Sequence, residues 1–112
     1  MKCSVSLFAA LVFLAAPASA ADKKVEKLWK TKCQSCHGAD GKAQTDKGKK
    51  MQVLDMSRAD WQAKKTDDEL KKAIKEGMKS EKDGVKKEMD AYAELSEEQL
   101  TGLVGFIREL KK

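Results

Sequence analysis

The residues of this chain best suited to chemistry stand together in Cys33-Gln34-Ser35-Cys36-His37. Thiols at i and i+3 point the same way on one helical turn, so each can add to one of the two vinyl groups of a haem. The imidazole directly after them then reaches the iron from the same side. Such attachment lets a small domain keep its cofactor without enclosing it, and leaves a haem edge open for electron exchange. A Cys-x-x-Cys pair also serves zinc sites and thioredoxin-like redox centres. Structural zinc takes four Cys or His ligands, whereas beyond residue 20 the chain has two Cys and one His. A thioredoxin-like fold needs βαβ units, and no stretch beyond residue 20 shows an alternating or β-branched strand pattern. A plain structural disulfide is the remaining competitor.

A haem iron bound by His37 has a second axial position. With a single His in the chain, a second imidazole is excluded within a monomer. A Met thioether, a Lys amine or an open position holding water are left. Thioether sulfur suits an iron that cycles between oxidation states without changing ligands. Beyond the leader the candidates are Met51, Met56, Met78 and Met89, and an isolated Met most often fills a core. Met89 lies far from His37, on a segment expected to be irregular just before the last helix. A ligand for the opposite haem face must come from such a returning segment; Met78 is the runner-up.

Residues 1–20 read as a cleaved secretory signal peptide. Lys2 gives a basic start, residues 5–16 an apolar core, and Ala18-Ser19-Ala20 a cleavage site. The apolar core is too short for a retained membrane span. Cys3 leaves with the leader. A domain over residues 21–112 follows, exported and free of any membrane span. The leader's resemblance to a bacterial export signal places it in the periplasm.

About 92 residues make one domain whose apolar burial is marginal unaided. A central haem adds what is missing. Once Lys2 is gone, 22 of the 23 basic residues face 18 acidic ones, a formal charge of +4. The charges are interspersed, and a solvated surface is the plain reading. The clusters Lys47, Lys49 and Lys50, then Lys64 and Lys65, then Lys86 and Lys87 are alternatively placed to ring a haem edge and steer acidic redox partners. Nucleic-acid binding finds little support, because no aromatic residues interleave the basic ones.

Five elements are expected to position the motif. Residues 22–36 form a helix with Val25, Leu28 and Trp29 on one face. Residues 38–48, with three glycines, form a loop leaving His37. A short helix over 57–64 carries Trp61. Thr66-Asp67-Asp68-Glu69 opens a capped helix that stops at Gly77, and Ser96-Glu97-Glu98-Gln99 opens another carrying Leu100, Leu103, Val104, Ile107 and Leu110. Residues 78–93 are polar and partly irregular.

This order of elements resembles class I cytochrome c over essentially the whole chain beyond the leader. The likeness is most specific at Cys33-x-x-Cys36-His37-Gly38, at Met89-Asp90-Ala91-Tyr92, at Leu95-Ser96-Glu97-Glu98-Gln99 and at Phe106-Ile107-Arg108. The resemblance implies an all-α fold around one covalent haem c, with the first and last helices crossing. It implies thioether links at Cys33 and Cys36, His37 on the proximal side of the iron and Met89 on the distal side. Trp61 is a candidate donor to a haem propionate, with core packing an equal alternative. Tyr92, three residues after Met89, is a candidate to fix the ligand segment through its hydroxyl. Trp29 and Phe106 are expected to pack where the terminal helices meet.

Three departures from the family pattern stand out. Asp90 follows Met89 where relatives commonly have Pro. Beyond the leader there is no proline, so the carbonyl that often accepts the His37 ring N–H must come from elsewhere, with residues 41–53 the expected source. Val25 stands where many members have Gly at the helix crossing, which leaves Gly105 as the expected point of close approach. The function implied is that of a soluble electron carrier, not an enzyme. A monomer meeting redox proteins through brief electrostatic contacts is expected. The alternative is a haem ligand-binding sensor or small peroxidase with an open distal position; without a second His to act as acid or base, a peroxidase is disfavoured.

Overall fold

The computed structural model describes residues 20–111. The leader expected over residues 1–20 lies outside the described residues, save Ala20. Helix α1 (Ala20–Leu28) runs through one wide turn, Trp29–Cys33, into α2 (Gln34–His37), giving the nearly continuous helix expected for 22–36. In the wide turn the Gln34 amide donates to the Trp29 carbonyl five residues back, one more than an α-helix allows. The Thr31 hydroxyl donates to the carbonyls of Lys27 and Leu28 at 2.9 and 3.3 Å. Trp29 and Cys33 are thereby both turned into the interior.

The middle of the chain follows its capping signals. A short α3 (Asp46–Lys50) interrupts the expected loop. The Thr45 hydroxyl starts it by accepting from the Gly48 amide at 2.9 Å. Helix α4 (Ala59–Lys64) occupies most of the expected 57–64. In α5 (Asp67–Glu76) Thr66 and Glu69 cap each other reciprocally, and Gly77 ends the helix at φ 73°. The same box, Ser96 with Gln99, opens α6 (Glu97–Glu109). These boxes satisfy amides that a helix start leaves unpaired.

The described residues are mostly helical, as expected, with one addition at residues 78–89. The latter form a two-stranded antiparallel sheet, β1 (Met78–Lys82) and β2 (Val85–Met89). Asp83 and Gly84 both have positive φ, at 54° and 77°, the conformation that a tight two-residue hairpin turn demands. The Asp-Gly signal was present in the sequence, but its flanks are charged rather than alternately apolar. The hairpin is solvated on β1 and only half-buried along Val85, Lys87 and Met89.

The core gathers Trp29, Cys33, Met56, Leu70, Ile74 and Leu95 with Leu100, Leu103, Val104 and Ile107 of α6. Trp29 and Phe106 meet with ring centroids 4.9 Å apart where α1 and α6 cross. The close approach lies at Gly102 rather than the expected Gly105: a Cβ on Gly102 would come within 2.6 Å of Val25 Cγ2, whereas none added to Gly105 would meet anything within 4 Å. Gly105 is rotated out of the crossing, into solvent. Gly102→Ala is therefore expected to lower stability by about 1–3 kcal/mol through overpacking, and Val25→Ala in that background to recover most of it. Urea unfolding of the four variants of this cycle checks the coupling.

A buried polar node locks the opposite end. Gln62 Nε2 donates to the carbonyls of Met56 and Ile107 at 2.7 and 2.8 Å. Arg108 donates to the Gln62 side chain at 2.9 Å and to the Gln62 carbonyl at 2.7 Å, and pairs with Asp67 at 2.9 Å. Through it α4, α5 and α6 share one set of hydrogen bonds.

Candidate functional site

The wide turn and α2 place the motif at the edge of the core. Cys33 is buried and Cys36 half-buried, and both thiols are free. Burial pushes the Cys33 thiol up to about 11, against the opposing charge of Lys32. Burial likewise lowers the His37 pKa, favouring the neutral imidazole, the form that binds a metal. The Trp29 indole spans the turn: its N–H donates to the Gly38 carbonyl at 2.9 Å, and its ring centroid lies 5.9 Å from that of His37.

The loop after His37 folds back onto the motif. The Ala43 amide donates to the His37 carbonyl at 2.9 Å, and the Thr45 hydroxyl donates to the Ser35 carbonyl at 2.7 Å. A Cβ at Gly48 would fall 2.4 Å from the Cys36 carbonyl oxygen; only glycine lets α3 press this close. The expected acceptor for the His37 ring N–H does not appear there. His37 Nδ1 is buried with no hydrogen-bond partner among the described residues. The carbonyls of Gly41, Thr45, Lys47, Gly48 and Lys49 accept from amides within the loop or from Met56.

Met89 ends β2, half-buried against the core. Met78 is its cross-strand partner and is 56% exposed. Beyond Met89 the backbone is pinned from two sides. A Cβ at Gly77 would lie 2.5 Å from the Met89 carbonyl oxygen, and the Tyr92 amide donates to the Ile74 carbonyl at 3.0 Å. The Tyr92 hydroxyl donates to the Lys32 carbonyl at 2.9 Å, directly before Cys33. Desolvation raises the phenol pKa, and the neighbouring Cys33, Asp90 and Cys36 add to the shift.

Cys33, Cys36, His37 and Tyr92 are thus brought together, with Met89 on the segment that Tyr92 anchors. Trp61 lies on α4, half-buried against the core. Met56 is core filling at 7% exposure. Gly48 is expected from the sequence only as part of a loop and Gly77 only as a helix stop, yet their close approaches hold α3 and the Met89 segment in place. Only a three-residue Thr45-to-Gly48 capping interval hinted at the first.

Fold and site together define a small, mostly helical protein with a thiol pair and imidazole on one element and a thioether on a returning one. The chain belongs to the cytochrome c family, whose model matches residues 23–111. Membership implies a covalently bound haem c, electron transfer and redox partners. The chain is similar to a solved structure described as "KustC0563 c-type cytochrome", at 32% identity and a TM-score of 0.64, covering 78% of this chain and 96% of that one. No curated protein matches it. The residues present fit the implied group: two free thiols one turn apart stand beside an imidazole whose pKa burial lowers. Among the described residues no helix is long and apolar enough to cross a membrane.

Proposed function

We propose that this chain is a soluble periplasmic monohaem carrier that passes single electrons between larger redox proteins. The observation that carries the reading is the donor set of one turn: free thiols at Cys33 and Cys36 followed by the half-buried His37, whose pKa burial lowers. When bound, haem iron supplies reversible one-electron chemistry between its ferrous and ferric states. Cys33 and Cys36 would hold that group by thioether links. His37 and Met89 would bind its iron, and a thioether ligand would favour the ferrous state.

The remaining residues orient these ligands. Trp29 stacks between His37 and Phe106 and fixes the motif to the α1–α6 crossing. Trp61 and Tyr92 are assigned to the pocket wall. Exposed Lys47, Lys49 and Lys50 on α3, packed against the motif, suit brief encounters with acidic partners. The leader over residues 1–20 supports export to the periplasm.

A potentiometric titration of the haem-loaded protein tests the reading. One reversible step is expected, with the one-electron response of about 59 mV per tenfold change in the oxidised-to-reduced ratio. Several steps, or irreversible oxidation under oxygen with turnover of peroxide, would replace the carrier by the open-iron alternative.

A further inference from the structure

We infer that Tyr92 and Lys32 form a latch that holds the Met89 segment against the motif and sets how readily the distal iron position opens to a small exogenous ligand. The inference rests on the proposed ligation by Met89.

The need for a latch follows from the hairpin. Two strands alone are marginally stable in water, and β1 is exposed throughout. The contacts at Gly77 and Ile74 tie residues 89–92 to α5 and its end, not to the motif. The Tyr92 hydroxyl crosses 60 positions of sequence to the Lys32 carbonyl, joining the distal segment to the residue directly before Cys33.

Lys32 closes the grip with its side chain. Its ammonium lies 5.1 Å above the Tyr92 ring centroid and 3.5 Å from the Glu94 carboxylate. One residue therefore holds Tyr92 by its carbonyl and its charge at once. The wide turn provides the geometry, since a helix whose ladder lengthens to five residues offers carbonyls to outside donors. The Thr31 hydroxyl bonds back to Lys27 and Leu28 within its own helix, whereas the Lys32 carbonyl accepts from Tyr92 outside it.

Imidazole added to the oxidised, haem-loaded protein reports the open position, because it binds only when Met89 has left the iron. Its affinity is read from the loss of the weak far-red sulfur-to-iron band. Tyr92→Phe keeps the ring beneath Lys32 and removes the hydroxyl. It is expected to tighten imidazole binding about fivefold, the population change that one net hydrogen bond carries. Glu94→Gln, which loosens Lys32 alone, is expected to act in the same direction by about twofold, as an exposed ion pair does. Gln62→Leu is the control: it lowers the melting temperature through the α4–α6 node yet leaves imidazole affinity at the parent value.

Affinities for Tyr92→Phe and Glu94→Gln no higher than the parent's, or no higher than that of Gln62→Leu, overturn the latch. A parent without the far-red band, or a band that survives Met89→Ala, overturns the Met89 ligation itself and the latch with it.

Discussion

Met89→Ala is expected to abolish the far-red sulfur-to-iron band of the oxidised protein and to lower the reduction potential on the order of 0.1–0.2 V, part of the ~0.8 V range that axial ligands span. A thioether is a soft, weak donor and so favours ferrous iron; water or a Lys amine in its place favours ferric. The expectation is specific to Met89 because of where it sits. It ends β2, half-buried against the core, while the backbone after it is pinned at Gly77, Ile74 and Lys32. Met56 is committed to the core. Met78 is the informative control, because directly paired residues of a hairpin share a face. Spectra and potentials of Met89→Ala and Met78→Ala decide between them. Loss of the band in Met78→Ala and its survival in Met89→Ala would transfer the distal role to Met78.

Trp29→Ala is expected to cost about 3–5 kcal/mol of folding stability, out of the roughly 5–15 kcal/mol that a domain of this kind possesses. Trp29 is 3% exposed, stacks on Phe106 and His37, and donates its indole N–H to Gly38. Truncation opens a cavity at the helix crossing and leaves the Gly38 carbonyl with only the long bond from the Gly41 amide, at 3.4 Å. Trp29→Phe separates the two effects. It keeps most of the apolar contact and loses only the hydrogen bond, so about 1–3 kcal/mol is expected. Urea unfolding of the haem-loaded variants measures both, through the shift in midpoint at constant slope. A loss under about 1 kcal/mol for the alanine variant would mean that Trp29 does not join the crossing to the motif.

What the sequence made legible was what local chemistry encodes. Thr66-x-x-Glu69 and Ser96-x-x-Gln99 announced two helices whose caps form as written. The 3.6-residue spacing of Leu100, Leu103, Val104 and Ile107 announced the buried face of α6. The Cys33–His37 motif pointed to a covalently bound haem, which membership of the cytochrome c family implies. The hairpin was missed because its strands carry Lys and Glu where a half-buried strand usually alternates with apolar residues. Cross-strand charges such as Lys79 with Glu88, 3.6 Å apart, take part in its pairing instead.

The close approaches were hidden for a different reason. Whether Gly102 or Gly105 faces Val25 depends on helix rotation, and whether Gly48 touches Cys36 depends on how a loop returns; neither is written in local sequence. The missing acceptor for His37 Nδ1 is of the same kind. Residues 41–53 hold ample carbonyls, but whether one turns toward His37 depends on the path of the loop, and none meets Nδ1. The Tyr92 hydroxyl was singled out for its nearness to Met89, yet its partner, 60 positions earlier in the chain, could only be found in three dimensions.

The most direct test of the central claim is the visible spectrum of the exported protein, oxidised and reduced, recorded with acid denaturation to see whether the colour stays with the polypeptide. Sharp low-spin c-type bands, a weak far-red band when oxidised and haem that remains attached to the denatured chain are the predicted result. A high-spin spectrum, haem that separates from the chain, or a colourless protein would contradict the account.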